Sequence, residues 1–200
     1  MWITGNTRSN VHPGYIFLTS IKKYVEKFGT NRVISVWDKR LIRGIKNYRR
    51  LAKTAEYKQN RDQSKNEHVF SFEDLTTQLV EKLGVYTMYP GILEADDVIS
   101  WLTKNTPGEK IVVSVDQDML QLVDEKTCVY SPIKDVLIDH NNFEEITGVP
   151  KKDFIRYKSL VGDKSDNLPG VERVGKKTAI KLLNECAYDD QLEQKLGADR

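Results

Sequence analysis

The sequence predicts an α/β domain with a mainly parallel central sheet flanked by helices, followed by a smaller helical region. Three observations lead to this prediction. Short runs rich in β-branched residues alternate with stretches of helical periodicity, two of these runs end in an aspartate, and glycine and proline cluster between residues 162 and 175. A chain of 200 residues is long enough for one domain and a small second region. We therefore expect a first domain over residues 1–150 and a second over residues 151–200.

Apolar spacing places the individual elements. A first helix is predicted over residues 14–28, with Gly29 at its C-terminal end. After Pro150, the pattern predicts a helix over residues 151–161, a tight glycine turn and another helix. The other predicted helices span residues 70–83 and 93–105, and the predicted strands span residues 32–37, 85–89, 110–115 and 127–130.

Composition excludes several classes of protein. No apolar run approaches the ~18 residues of a membrane span, and the first residues lack the pattern of a signal peptide. Cys128 and Cys186 show no metal-ligand spacing and are expected to be free thiols in a reducing compartment. We therefore expect a cytoplasmic protein without a membrane partner, and a monomer.

Charge is unevenly distributed, although the net charge is only +2. Residues 39–65 hold ten basic and two acidic residues, whereas residues 94–139 hold ten acidic and four basic residues. A basic segment suits phosphate backbones, and grouped acids suit divalent cations. An enzyme that acts on nucleic acid with metal ions needs both.

Four short acidic patterns are candidates for metal ligands. Asp38 and Asp116 end strand-like runs, where open parallel sheets bind ligands, and Asp118 shares the direction of Asp116 if the extended backbone continues. The other two patterns contain acids three residues apart, at a helix start and in the glycine-rich stretch. Those acids are Glu94, Asp96 and Asp97, and Asp163 and Asp166.

Each pattern also has a simpler explanation when taken alone. Acids at a helix start commonly cap the helix, and the other aspartates fit ordinary turns. Together they amount to eight carboxylates, which would repel one another strongly without cations. Mg²⁺ or Mn²⁺ is the natural counter-ion for such oxygen ligands, and two ions about 4 Å apart hydrolyse phosphodiesters without a histidine or serine nucleophile. His12, His68 and His140 are scattered and receive no role.

Four stretches of the chain have a distinctive order of acidic, basic and glycine residues, namely GILEADDVIS, SVDQDMLQLV, YKSLVGDKSDNLPGVERVGKKTA, and VWDKR followed by AEYKQNRD. These motifs resemble those of the 5′-3′ exonucleases, a family that includes bacteriophage flap endonucleases and the small domain attached to bacterial DNA polymerase I. The resemblance covers residues 30–185 and implies a PIN-like 5′-nuclease fold with a C-terminal helix-three-turn-helix. It implies an enzyme of DNA replication or repair that cleaves DNA with a 5′ flap or a free 5′ end. RNA in RNA–DNA hybrids is a further implied substrate, and a phage-encoded member would work in the host cytoplasm.

The resemblance also implies roles for individual residues. Glu94, Asp96, Asp97 and Asp116 would bind the tighter of two Mg²⁺ or Mn²⁺ ions, with Asp38 nearby, and Asp118, Asp163 and Asp166 would bind the second. Lys58 and Arg61 would contact the scissile phosphate from a basic helical arch around residues 39–68, although spacing alone favours a solvated surface pair. The implied duplex-binding residues of the helix-three-turn-helix, which would also hold K⁺, are Gly170, Val171, Val174, Gly175, Lys176 and Lys177.

The sequence departs from the family pattern before Asp38. Family members open with a strand that ends in an aspartate, within a pattern like Leu-Ile-Asp-Gly-Asn, but residues 1–37 contain no aspartate. We therefore expect the opening strand to be absent and catalysis to be weakened more than DNA binding. An alternative function follows, namely a catalytically impaired protein that binds branched DNA. An RNA-directed nuclease of the same broad fold is a third possibility.

Overall fold

The computed structural model describes residues 12–38, 67–164 and 166–198. They fall into two compact units, the first with residues 12–38 and 67–106 and the second with the described residues from 107 onward. Most of the predicted basic arch, with Lys58 and Arg61, lies outside the described residues. The domain boundary expected at residue 150 stays a prediction.

The first unit contains three helices and two strands among its described residues. Helix α1 begins at a proline in its first turn and ends at Gly29, whose φ of 60° is left-handed and whose N–H donates to the Val25 carbonyl. The predicted C-cap is thereby confirmed. Strands β1 and β2 pair in parallel, with Ile34 opposite Tyr86 and Val36 opposite Met88. The elements are α1 (Pro13–Phe28), β1 (Ile34–Val36), α2 (Glu67–Lys82), β2 (Tyr86–Met88) and α3 (Ala95–Asn105).

The strands of the first unit are shorter than the apolar pattern predicted. β1 covers three residues of the run 32–37, because hydrogen bonding to β2 begins only at Ile34. Helix α2 packs against α1, and α3 packs against β1. Ala95 and Val98 of α3 are buried.

The second unit begins with a sheet of three strands in the order β3-β4-β5. β3 and β4 pair in parallel, with Val112 opposite Val129, whereas β5 pairs antiparallel with β4. Strand β5 was not predicted from the sequence, because the turn at Pro132 precedes only three paired residues. Val129, Tyr130 and Ile138 are almost completely buried in this part of the core. The elements are β3 (Lys110–Val113), a 3₁₀ helix (Gln117–Leu122), β4 (Thr127–Ser131), β5 (Val136–Ile138) and α4 (Phe143–Thr147).

The C-terminal part of the second unit has its own apolar cluster. Helix α5 contributes Tyr157 and Leu160, and the following helices contribute Ala179, Leu182 and Leu192. The predicted helix over 151–161 is confirmed, with a 3₁₀ turn as its first three residues. Among the residues with described positions, no helix has the length and apolar character needed to cross a membrane. The elements are a 3₁₀ helix (Lys151–Asp153), α5 (Phe154–Val161), β6 (Gly162–Asp163), β7 (Leu168–Pro169), α6 (Lys176–Glu185) and α7 (Asp189–Ala198).

Candidate metal centre and DNA interface

The first acidic group consists of Asp38, Glu94, Asp96 and Asp97 and lies at the start of α3. Asp38 follows β1, and its Oδ1 accepts a hydrogen bond of 2.7 Å from the N–H of Ala95. The chain thus brings an acid at the end of a strand to a helix that begins 57 residues later. The expected proximity of Asp38 to the acids of α3 is present within this unit.

Capping of the α3 N-terminus explains the positions of some carboxylates in the first acidic group. The N–H of Glu94 donates to Asp97 Oδ2 at 3.0 Å, so Asp97 closes the first turn of α3. Glu94 is the N-cap residue and is only 7% exposed. The helix N-terminus favours negative charge at this position. Capping and metal binding are compatible, because each ionised carboxylate offers about four lone-pair sites.

The second acidic group consists of Asp116, Asp118, Asp163 and Asp166. Asp116 lies three residues beyond β3, and its Oδ1 accepts a hydrogen bond of 2.8 Å from the N–H of Asp118. This bond starts the 3₁₀ helix Gln117–Leu122. The extended backbone therefore ends at Asp116, and the condition under which Asp118 would share its direction is not met.

Lys158 connects two members of the second acidic group. Its Nζ lies 3.0 Å from Asp118 Oδ1 and 2.8 Å from Asp163 Oδ2. This lysine was not among the residues predicted from the sequence. The available signal was a lysine on the helix that leads into the glycine-rich acidic motif, five residues before Asp163.

The environment of Lys158 favours its charged form. The side chains of Lys158, Asp118 and Asp163 are 24%, 35% and 21% exposed. Burial on its own would lower the pKa of the Lys158 ammonium, but hydrogen bonds to Asp163 and Asp118 and the charges of both carboxylates outweigh burial and raise this pKa above its ordinary value. The two carboxylates therefore face a permanent positive charge.

A close main-chain contact positions Asp163. β6 and β7 form a two-residue antiparallel hairpin in which Asp163 pairs with Leu168. Gly162 has a φ of 74°, and a Cβ atom there would lie 2.3 Å from the N atom of Gly170. A Cβ atom on Gly170 would in turn lie 2.4 Å from the carbonyl carbon of Val161. Both positions therefore require glycine, and Asp163 is the next residue after one of them.

Lys158 and its two partners line an open cleft of about 340 Å³ in the second unit. The other lining residues are both apolar, among them Phe154 and Leu168, and polar, namely Gln121 and Ser159. The ion-paired groups are therefore accessible from solvent.

The turn before α6 contains the residues expected to bind duplex DNA. The N–H of Val171 donates to the Leu160 carbonyl, and the N–H of Val174 donates to the Val171 carbonyl. Gly175 is the N-cap of α6, whose first turn holds no acid and begins with the exposed pair Lys176 and Lys177. Free N–H groups at a helix N-terminus suit phosphate oxygens.

Two family models match the chain. A sequence model described as "5′-3′ exonuclease, N-terminal resolvase-like domain" matches residues 3–148, and one described as "5′-3′ exonuclease, C-terminal SAM fold" matches residues 149–198. The chain belongs to the 5′-3′ exonuclease family. The resemblance found in the sequence is confirmed, and so is the α/β fold class with a helical C-terminal element.

Relatives within the family include two bacterial proteins named 5′-3′ exonuclease. One, from Buchnera aphidicola subsp. Acyrthosiphon pisum, is 40% identical over 65% of this chain and 46% of its own length. The other, from Bacillus subtilis, is 36% identical over 90% of this chain and 61% of its own length. This family member thus spans about half the length of the curated relatives it matches.

Solved structures with a similar fold come from bacteriophage T5. The T5 protein co-crystallised with metal ions superimposes with a TM-score of 0.77 at 22% identity, over 90% of this chain and 69% of its own. The T5 flap endonuclease complex with DNA and metal ions gives a TM-score of 0.74 at 22% identity, over 89% and 68%. At this identity, the comparison establishes a shared fold.

The donor chemistry of this exonuclease-family chain fits hard divalent ions. Both acidic groups offer only carboxylate oxygens, the ligands that Mg²⁺ and Mn²⁺ prefer. Within the part of the chain that the structure describes, no three His, Cys, Asp or Glu side chains lie close enough to share one ion. In the second acidic group, the Lys158 ammonium lies against the carboxylates where a cation is expected.

Proposed function

We propose that this chain is a structure-specific 5′-nuclease that hydrolyses DNA phosphodiesters with two Mg²⁺ or Mn²⁺ ions. The observation that carries the proposal is the position of the acids. Asp38 follows β1 and Asp116 follows β3, each of which pairs in parallel with one neighbouring strand, and Asp163 follows Gly162, a position that requires glycine. Family membership supports the same reaction. Two such ions supply an activated water and stabilise the leaving oxygen.

The chain's own residues have the following proposed roles. Glu94, Asp96, Asp97 and Asp116 hold the tighter ion, with Asp38 nearby, and Asp118, Asp163 and Asp166 hold the second ion. Lys58 and Arg61 contact the scissile phosphate and balance its charge. The N–H groups in the first turn of α6, with Lys176 and Lys177, bind duplex phosphates away from the cut, and a K⁺ ion at the preceding turn adds to this contact.

The proposed substrate is DNA with a 5′ flap or a free 5′ end, and RNA–DNA hybrids are a second substrate. The T5 flap endonuclease with a similar fold was solved with DNA, which supports the choice of DNA. We further propose that the protein works as a monomer in the cytoplasm, in DNA replication or repair. Basic residues in the segment 39–68 and in α6 predict that binding weakens steeply with salt.

Cleavage of end-labelled substrates tests the proposal. We expect Mg²⁺ or Mn²⁺ to support cutting of a 5′-flap DNA near its junction, and EDTA to abolish it. A blunt duplex of the same length and a 3′-flap DNA serve as matched substrates. Equal cutting of all three would contradict structure specificity, and failure of both ions at every enzyme concentration would contradict the nuclease assignment.

A second function is favoured by one feature of the sequence. Residues 1–37 contain no aspartate, although the family pattern places a metal ligand there. A protein that binds branched DNA without cutting it would retain affinity in EDTA and show no cleavage with any ion. The same assay with RNA flaps decides the third possibility, since an RNA-directed nuclease would cut RNA faster than DNA.

A further inference from the structure

Lys158 belongs to a cluster formed by three separate segments of the second unit. The lysine lies in the last turn of α5, Asp118 lies in the 3₁₀ helix, and Asp163 lies in β6. Each N–O distance to the ammonium is 3.0 Å or less. Charge-assisted hydrogen bonds of this length are the strong ones. The three groups are each no more than 35% exposed, so solvent screens them less than a surface pair.

The backbone fixes the position of this lysine. Tyr157 and Leu160, on either side of it in α5, are buried in the apolar cluster. The carbonyl of Lys158 itself accepts a hydrogen bond from the N–H of Gly162, which ends the helix. The side chain therefore starts from a rigid point beside Asp163, and its ammonium reaches across to Asp118.

A lysine and a divalent ion compete for the same oxygens. Two carboxylates that bind one cation would repel each other without it. The ammonium supplies one positive charge and three donors, whereas a divalent ion supplies two positive charges and needs the carboxylate lone pairs that the ammonium holds. When the ion binds, the ammonium has to leave at least one carboxylate.

We propose that Lys158 is a built-in counter-cation that holds Asp118 and Asp163 together in the metal-free protein and is displaced by the second divalent ion. Lys158 is then a positioning residue that sets the affinity of the second acidic group for metal. This inference rests on the proposed function, since it assumes that the second acidic group binds an ion. It assigns the lysine no part in breaking the phosphodiester.

Mn²⁺ binding to the full chain tests this inference. Free Mn²⁺ is measured by electron paramagnetic resonance for the unsubstituted protein, Lys158→Met and Lys158→Arg. We expect Lys158→Met to bind the weaker Mn²⁺ on the order of tenfold more tightly, because no ammonium has to be displaced. Lys158→Arg restores the positive charge and is expected to return the affinity towards the original value.

Thermal unfolding supplies an independent readout. In EDTA, Lys158→Met should unfold at a lower temperature than the unsubstituted protein, because Asp118 and Asp163 then repel each other. Added Mn²⁺ should raise its unfolding temperature by more than it raises that of the unsubstituted protein. Lys158→Gln, which keeps hydrogen-bond donors without charge, replaces Lys158→Met if the latter does not fold.

Lys152→Met is the matched control, because it removes one exposed lysine charge from the same unit. Its Mn²⁺ affinity should stay within about twofold of the original. Unchanged or weaker Mn²⁺ binding by Lys158→Met and Lys158→Gln would overturn the inference, as would an equal gain in Lys152→Met.

The failure of this inference is distinguishable from the failure of the proposed function. An unsubstituted protein that binds two Mn²⁺ ions and cuts flaps, with no effect of the Lys158 substitutions on binding, overturns the inference alone. Tighter binding by Lys158→Met in a protein that cuts no DNA supports the inference and overturns the nuclease assignment. A chain that binds no Mn²⁺ overturns both.

Discussion

The two acidic groups differ in what their carboxylates bind. In the first group, Asp38 and Asp97 accept hydrogen bonds from main-chain N–H groups at the start of α3. In the second group, Asp118 and Asp163 bind the side chain of Lys158. Main-chain amides are fixed in place and carry only partial charge, whereas a lysine ammonium carries a full charge and can move away. Asp38 and Asp97 are thus held in position by main-chain groups, and Asp118 and Asp163 by an exchangeable cation.

This difference predicts which acidic group rearranges more when a metal ion binds. A carboxylate can keep an amide hydrogen bond on one oxygen and bind an ion with the other. The first group therefore needs little rearrangement when an ion binds. The second group has to release its lysine, so its affinity depends on charge more than on geometry.

Removal of Asp116 gives the largest expected effect. Asp116→Asn should lower the cleavage rate on the order of 10²- to 10³-fold or more, because a lost metal ligand removes stabilisation of the transition state. Duplex affinity in EDTA should change little, since phosphate contacts lie elsewhere. Single-turnover cleavage and a duplex-binding titration measure the two quantities. Asp190→Asn, an exposed acid on α7, is the control and should leave both unchanged.

Gly162→Ala is expected to have the next largest effect, because it disrupts the segment that presents Asp163 to Lys158. The added Cβ would meet the Gly170 main chain, and the free energy of unfolding should fall by roughly 3–5 kcal/mol. Gly148→Ala is the comparison variant, because Gly148 has the same φ of 74° with nothing within 4 Å of the added atom, although its ψ is 13° and that of Gly162 is −173°. It should cost only about 1–2 kcal/mol. Equal losses in urea unfolding would contradict the requirement for glycine that the close contact imposes at Gly162.

Asp38 gives the smallest expected effect and separates the two functions of the first group. Asp38→Ala removes the acceptor for the Ala95 N–H and should lower the free energy of unfolding by about 1 kcal/mol. Asp38→Asn keeps an acceptor oxygen and should retain most of that stability while lowering Mn²⁺ affinity. Urea unfolding and Mn²⁺ titration of the two variants measure this. An Asp38→Asn protein as unstable as Asp38→Ala would contradict the capping role of the oxygen.

Much of the fold was predictable from local sequence. The helix over 14–28, its end at Gly29 and the strand that precedes Asp116 are dictated by periodicity and by glycine, so they appear within a few residues of their predicted positions. The short strand β5 and the hairpin β6–β7 were not predictable in this way. Their residues are held by pairing with partners elsewhere, and runs of two or three residues carry no periodic signal.

The candidate site was likewise predictable where it depends on local motifs, but not where it depends on contacts between distant residues. Sequence motifs identified the acids, because their types and order are characteristic, and the contact between Asp38 and α3 agrees with their grouping. The metal, catalytic and DNA-binding roles of individual residues stay predictions. Lys158 escaped notice, because its importance lies in a contact with Asp118, forty residues away, which no local pattern records.

The contact between Gly162 and Gly170 has a consequence for how variants of this protein are interpreted. Substitutions at either position should lower the amount of folded protein more than the activity of each folded molecule, since any side chain pushes two main-chain segments apart. Gly170 was expected to bind duplex phosphates. Loss of DNA binding in a Gly170 variant would nevertheless reflect misfolding and would not identify Gly170 as a DNA contact. Intolerance to substitution at Gly162 and Gly170 therefore indicates a requirement for folding. Intolerance at the neighbouring Asp163 indicates a requirement of the proposed metal site.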